Sequence, residues 1–189
     1  MPRGQPKKIT PAYLEKAALF YLERYSSSAQ NLRRVLDRKI RRSIEAHGAP
    51  AREEAAGWVT DLIAKLQRNK LLDDRAYAES RVRRLYAEGK SLGRIKQTLA
   101  VKGIGKEDTE AAMARLEAEA TAPVSDLPAA AAFARKRKLG PYRDPALRAE
   151  MRQKDLGALA RRGFSHAVAM KVLSADSVAA LEEMVHDAE

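Results

Sequence analysis

The sequence predicts an all-α protein of three tandem three-helix repeats, and three observations lead there. The 189 residues are 45% hydrophobic but only 5% aromatic, with alanine, leucine, arginine and glutamate dominant. That is the composition of helices, since strands draw on β-branched and aromatic residues. Apolar residues recur at three- and four-residue spacing, as one face of a helix requires. A helix-ending phrase also occurs twice: Leu99-Ala-Val-Lys102-Gly103-Ile104-Gly105 returns sixty residues later as Leu159-Ala-Arg-Arg162-Gly163-Phe164-Ser165. A fainter copy, Leu36-Asp-Arg-Lys39-Ile40, lacks the glycine. A repeat of this length means that each unit is one small helical module packed on its neighbours.

The elements follow in order. Pro11 to Tyr25 reads as a helix with Leu14, Ala17, Ala18, Tyr21 and Leu22 on one face, Thr10 as N-cap and Pro11 in the first helical position. Ser26-Ser-Ser28 breaks it and caps a second helix, Ala29 to Ala46, in which Leu32, Leu36, Ile40 and Ile44 recur every fourth residue. His47-Gly-Ala-Pro50 ends that helix, and a third carries Trp58, Leu62 and Leu66 inward. In the second repeat Asp73 is the expected N-cap, with Leu72 and Tyr77 at the spacing of a hydrophobic staple. Gly89-Lys-Ser91 leads into a helix with Leu92, Ile95 and Leu99 inward, and Gly103 is placed as its left-handed C-terminal residue. A further helix runs from about Lys106 to Ala120. The third repeat starts in the alanine-rich stretch to Leu139, breaks at Gly140-Pro141, resumes at Asp144-Pro145 and ends with a short helix from Ser165 to Leu173. The expected division is a basic N-terminal tail over 1–10, repeat 1 over 11–70, repeat 2 over 71–120, a linker over 121–128, repeat 3 over 129–175 and an acidic C-terminal tail over 176–189.

Composition narrows the function. With no cysteine there are no disulfides, thiol nucleophiles or thiolate metal sites, which fits a reducing cytosol. His47, His166 and His186 are far apart and lack ligand spacing, so no metal or cofactor is expected. Neither a phosphate loop nor a nucleophile–base pair is present, so no catalytic residue is named and no enzymatic activity is expected. No apolar run is long enough to span a bilayer, and the basic N-terminus leads into no secretory core, so neither a membrane span nor a signal peptide is expected. No membrane partner is expected, and the chain is expected to be a monomer.

The net charge of +11 is uneven: residues 1–50 hold eleven Lys and Arg against four Asp and Glu. Such an excess draws the chain to polyanions or acidic protein surfaces. Asp73 and Asp74 are paired carboxylates, yet capping and the positive end of a helix account for both without a substrate. Gly103-Ile104-Gly105 resembles a phosphate-binding hairpin, but Glu107 and Asp108 follow at once and the sister turn departs from the pattern, so a structural turn is the better reading. The basic clusters remain as candidates: Arg33, Arg34, Arg38, Arg41 and Arg42 on one helix, Arg81 to Lys96 in the second repeat, and Arg135-Lys-Arg-Lys138 in the third.

Leu72-Asp73-Asp74-Arg-Ala-Tyr77-Ala78, Gly93 and Ile95, Lys102-Gly103-Ile104 and Arg161-Arg162-Gly163-Phe164-Ser165 stand at the positions of a family signature. Over residues 12 to 173 the chain resembles the RecX family of bacterial proteins that regulate the RecA recombinase. The first repeat departs by extending its second helix through Arg41–His47 without the usual glycine turn. The resemblance implies an elongated, curved array of three-helix repeats. It also implies a cytoplasmic partner of the RecA–single-stranded DNA filament that inhibits ATP hydrolysis, strand exchange and co-protease activity in recombination, repair and the SOS response. Expected contact residues, chosen by charge, are Arg34 and Arg38 in the first repeat and Arg81, Arg84, Lys90, Arg94 and Lys96 in the second. Direct contact with single- or double-stranded DNA is expected to be weak and sequence-blind. The competing reading is an autonomous DNA-binding protein built from helix-turn-helix-like modules.

Overall fold

The computed structural model of the protein describes residues 7–187. Those residues form ten α-helices, with two short 3-10 turns and no strand among them. The helices are α1 (Pro11–Leu22), α2 (Ala29–His47), α3 (Arg52–Arg68), α4 (Asp74–Ala87), α5 (Leu92–Val101), α6 (Lys106–Glu119), α7 (Leu127–Arg137), α8 (Arg148–Arg161), α9 (His166–Leu173) and α10 (Val178–His186). The chain forms two compact units that share out the middle repeat. The first takes in the described residues up to Ala78 together with Lys102–Asp108, and the second holds Glu79–Val101 and the residues from Thr109 on.

In the first unit α1, α2 and α3 pack on one another around Leu14, Leu32, Leu36, Val59 and Leu66, all of them buried. Thr10 Oγ1 accepts from the Tyr13 amide at 3.2 Å, fixing the start of α1. That helix ends at Leu22, short of the expected Tyr25, where the Arg24 amide takes a tighter i→i−3 bond to the Tyr21 carbonyl. Ser28 caps α2 through the Asn31 amide. At 19 residues α2 is far longer than the ten-residue α5 that holds the same place in the second repeat. Leu36-Asp-Arg-Lys39-Ile40 therefore lies inside a continuous helix and makes no turn. Its stop comes at Gly48, in the left-handed conformation at φ +65°. The helix α3 lacks a side-chain cap, but Glu53 and Glu54 in its first turn and Lys65 and Arg68 in its last match the helix dipole.

The core of the second unit joins α7, α8, α9 and α10 around Ala130, Ala134, Leu159, Val172 and Leu181. Two boundaries expected from sequence differ here. Residues 127 and 128 belong to α7, not to the linker over 121–128: proline is compatible with a helix's first turn, where no N–H bond is lost, and Leu127 is buried beneath it. The segment over 176–189 is more than an acidic tail, because Ser177 caps α10 and Leu181, Met184 and Val185, three and four residues apart, turn one face into the core against α7. Of the basic tail over 1–10, residues 1–6 lie outside the described residues, whereas Ile9 is buried and its amide donates to Ser43 Oγ at 3.1 Å.

Candidate functional site

The site is built at a repeat junction, and the same clasp occurs at two such junctions. At the first, Ser28 caps α2, and its hydroxyl donates to the Lys102 carbonyl at 2.5 Å. The amide of Ala29, the first of α2, donates to Asp74 Oδ1 at 2.7 Å. At the second, 63 residues on, Ser91 Oγ donates to the Arg162 carbonyl at 3.0 Å and accepts from the Arg94 amide at 3.2 Å. The Leu92 amide donates to Asp126 Oδ1 at 2.7 Å. In each case the N-terminus of one repeat's second helix is satisfied by the next repeat: by an aspartate opening its first helix and by the carbonyl before its glycine turn. Backbone donors at a helix N-terminus need such partners, and these come from across the junction.

Gly103 and Gly163, at φ +79° and +90°, stop their helices, so Ile104 and Phe164 enter the core. They also serve close approach. A Cβ on Gly103 would fall 2.3 Å from Gln30 Cβ; one on Gly163 would fall 2.7 Å from Ser91 Oγ and 3.2 Å from the Arg94 amide nitrogen. Gly93 lies in the same contact, where a Cβ would come within 2.8 Å of the Gly163 carbonyl oxygen. The Gly103 turn packs against Gln30, which explains the glycine without a phosphate.

The two neighbouring aspartates divide the work. Asp73 caps α4 through the Ala76 amide at 2.9 Å, as its position suggests. Asp74 serves α2 instead, a role that no local reading of its own helix could reveal. Burial raises the Asp74 carboxyl above its ordinary value; the Ala29 amide opposes this, while Asp108 and Asp73 add to it. Asp126 is raised for the same first reason, opposed by the Leu92 amide.

Around the second clasp lies a groove of about 660 Å³ within the second unit. Six cations line it, Arg81, Lys90, Arg94, Lys136, Arg161 and Arg162, against one carboxylate, Glu88, which already pairs with Arg84 at 3.3 Å. Its apolar lining includes Leu85, Ala129, Ala132, Phe133 and Phe164. The Arg162 guanidinium stacks 4.9 Å from the centroid of Phe133, which in turn lies 6.4 Å from Phe164. Arg81 Nε is buried with no hydrogen-bond partner, a cost that the fold leaves standing.

Of the residues chosen by charge, the structure brings Arg81, Lys90 and Arg94 to this groove. Arg84 and Lys96 are exposed and do not line it, and Arg34 and Arg38 lie on the exposed side of α2 in the other unit. Lys136 and Arg161, which line the groove from the third repeat, were not among the residues chosen by charge. Arg162, expected only as part of the structural phrase, contributes its carbonyl to the clasp and its side chain to the groove. Among the described residues there is no group of three His, Cys, Asp or Glu side chains able to hold a metal ion, and no helix long and apolar enough to cross a membrane.

These features define an all-helical protein of three-helix repeats, clasped end to start, with a basic groove at one junction. Residues 73–113 match the profile described as the second three-helix domain of RecX. The chain is 47% identical over 173 residues to the regulatory protein RecX of Myxococcus xanthus (strain DK1622), covering 91% of this chain and 90% of that one. It is 34% identical to the regulatory protein RecX of Agrobacterium fabrum (strain C58 / ATCC 33970), covering 98% and 97%. A crystal structure of regulatory protein RecX superposes with a TM-score of 0.61 at 29% identity, over 86% of this chain and 70% of that one. The chain belongs to the RecX family, and it is a RecX-type regulator.

Proposed function

We propose that this protein binds the RecA–single-stranded DNA filament of its own cell and restrains it, lowering ATP hydrolysis, strand exchange and co-protease activity in recombination, repair and the SOS response. The observation that carries this reading is the near full-length identity to proteins named for regulation. The cationic groove supports it as a place where an acidic partner could be held, with Arg81, Lys90 and Arg94 at its centre and Arg34 and Arg38 on α2 as a second basic face. The protein acts by occupancy and not by catalysis, works in the cytoplasm as a monomer, and uses no cofactor. The proposed modules are 11–70 and 71–120, as read from sequence, and a third that begins with α7 at Leu127 and extends through α10.

The test is the DNA-dependent ATPase rate of the cognate recombinase with this protein added. The rate falls with increasing protein if the reading holds, and an unchanged rate would count decisively against it. Tight binding to naked duplex DNA, with a steep loss on adding salt, would instead favour an autonomous DNA-binding protein.

A further inference from the structure

The two junctions share a clasp but not a chemistry, and that difference bears on the ligand. By the equivalence of Ser28 and Ser91, the positions of Lys90 and Arg94 correspond to Ser27 and Asn31 at the first junction. There the polar groups are used internally. Asn31 Nδ2 donates to Ser27 Oγ at 2.9 Å and to Tyr21 Oη at 3.1 Å, while its Oδ1 accepts from Lys102 Nζ at 3.3 Å. A junction of this design therefore closes without a concentration of positive charge. At the second junction Lys90 and Arg94 line one groove with Lys136 and Arg161. Like charges gathered in a groove repel, and an anionic ligand relieves them.

The rest of the lining selects the class of anion. Ala129 and the exposed Ala132 offer an aliphatic surface, Leu85 being buried, with small side chains where a strand of bases would need open rings. Phe133 already carries the Arg162 guanidinium on its face, and Phe164 is buried. An apolar lining bounded by cations matches an amphipathic helix that carries carboxylates beside its apolar stripe.

We infer that the groove of the second junction docks an acidic, amphipathic helical segment of a partner protein. Its apolar side chains lie against Ala129 and Ala132, and its carboxylates lie on Lys90, Arg94, Lys136 and Arg161. The inference rests on the proposed regulatory role only for the partner's identity. On that reading it makes protein, not DNA, the component of the filament that the groove recognises.

Full-length protein is titrated with three labelled probes: a helical peptide with leucines along one face and glutamates beside them, the same peptide with serines for leucines, and an oligo-dT. The leucine–glutamate peptide is expected to bind best. Its affinity should fall about tenfold or more in R94E/K136E/R161E. Ala132→Arg separates the classes, because it adds a cation while filling the apolar lining: peptide affinity should fall and oligo-dT affinity should rise. Circular dichroism checks that each variant is folded, and the exposed Ala132 site keeps the test open if the triple variant is not. Equal binding of the serine peptide, peptide binding unaffected by the variants, or oligo-dT displacing the peptide from a groove that A132R strengthens for both would each overturn the inference. The recombinase ATPase assay is independent: wild-type protein that binds the peptide but leaves the ATPase unchanged refutes the regulatory role and leaves the groove assignment standing.

Discussion

Replacing Gly163 by alanine tests the second clasp where its two backbones come close. At φ +90° an L-residue is strained, by about 1–2 kcal/mol. The new Cβ would also fall 2.7 Å from Ser91 Oγ and 3.2 Å from the Arg94 amide nitrogen. The Ser91 side chain can turn away only by giving up its bond to the Arg162 carbonyl, a further loss of about 1 kcal/mol. The Arg94 amide is backbone and cannot turn at all. The sum is about 2–3 kcal/mol, or a fall in melting temperature of roughly 4–12 °C for a chain of this size. Thermal unfolding followed by circular dichroism measures it, with Gly57→Ala as the control. Gly57 lies within α3 with nothing inside 4 Å of an added Cβ, so that alanine should stabilise by about 0.5–1 kcal/mol. If Gly163→Ala unfolds no earlier than wild type, the close approach of α5 to the third repeat is wrong, and with it the geometry of the groove.

The aspartates of the clasp make a second test. Asp126→Ala orphans the Leu92 amide and should cost about 1–3 kcal/mol in urea unfolding, whereas Asp126→Asn keeps an acceptor and should cost little. Because burial holds both Asp74 and Asp126 above the ordinary value of 3.8, the folded state binds their protons more tightly than the unfolded state. Their contribution is therefore least favourable at neutral pH and improves as pH falls through the folded values towards 3.8. Any stability advantage of D74N/D126N over wild type at neutral pH should shrink over that window, and an advantage that grows on acidification would reverse the assignment. In the third repeat Asp155 is buried, accepts from Arg143 at 2.7 and 3.1 Å and from the Gly140 amide at 3.1 Å, so Asp155→Ala should lower stability by about 3 kcal/mol, measured the same way. Arg84→Ala and Lys96→Ala, outside the groove, should leave partner binding within about twofold of wild type in a direct titration.

Helices and turns were legible in the sequence because their causes are local. Thr10, Ser28 and Asp73 cap from one position before their helices, and Gly103 and Gly163 stop theirs with a conformation that glycine adopts readily. The clasp was not legible, because Ser28 meets Lys102 and Ala29 meets Asp74 across 74 and 45 residues. Charge density alone likewise picked out only half of the cations that line the groove. Arg94 and Lys96 are two residues apart, which on a helix is about 200° of rotation, so one lines the groove and the other does not. Lys136 and Arg161 needed the third repeat in register with the second. The repeat phrase held that signal: once Ser91 is aligned with Ser28 and Arg162 with Lys102, the basic residues that differ between the two junctions stand out.

The proposed hold on a recombinase filament runs through the basic groove of the second junction. Its most direct test is the affinity of labelled protein for the assembled filament, measured by anisotropy for wild type, R94E/K136E/R161E and R34E/R38E. Wild type is expected to bind tightly, and the groove variant to lose about tenfold or more, exceeding the loss from the α2 variant. A folded groove variant that binds the filament as wild type does would contradict it.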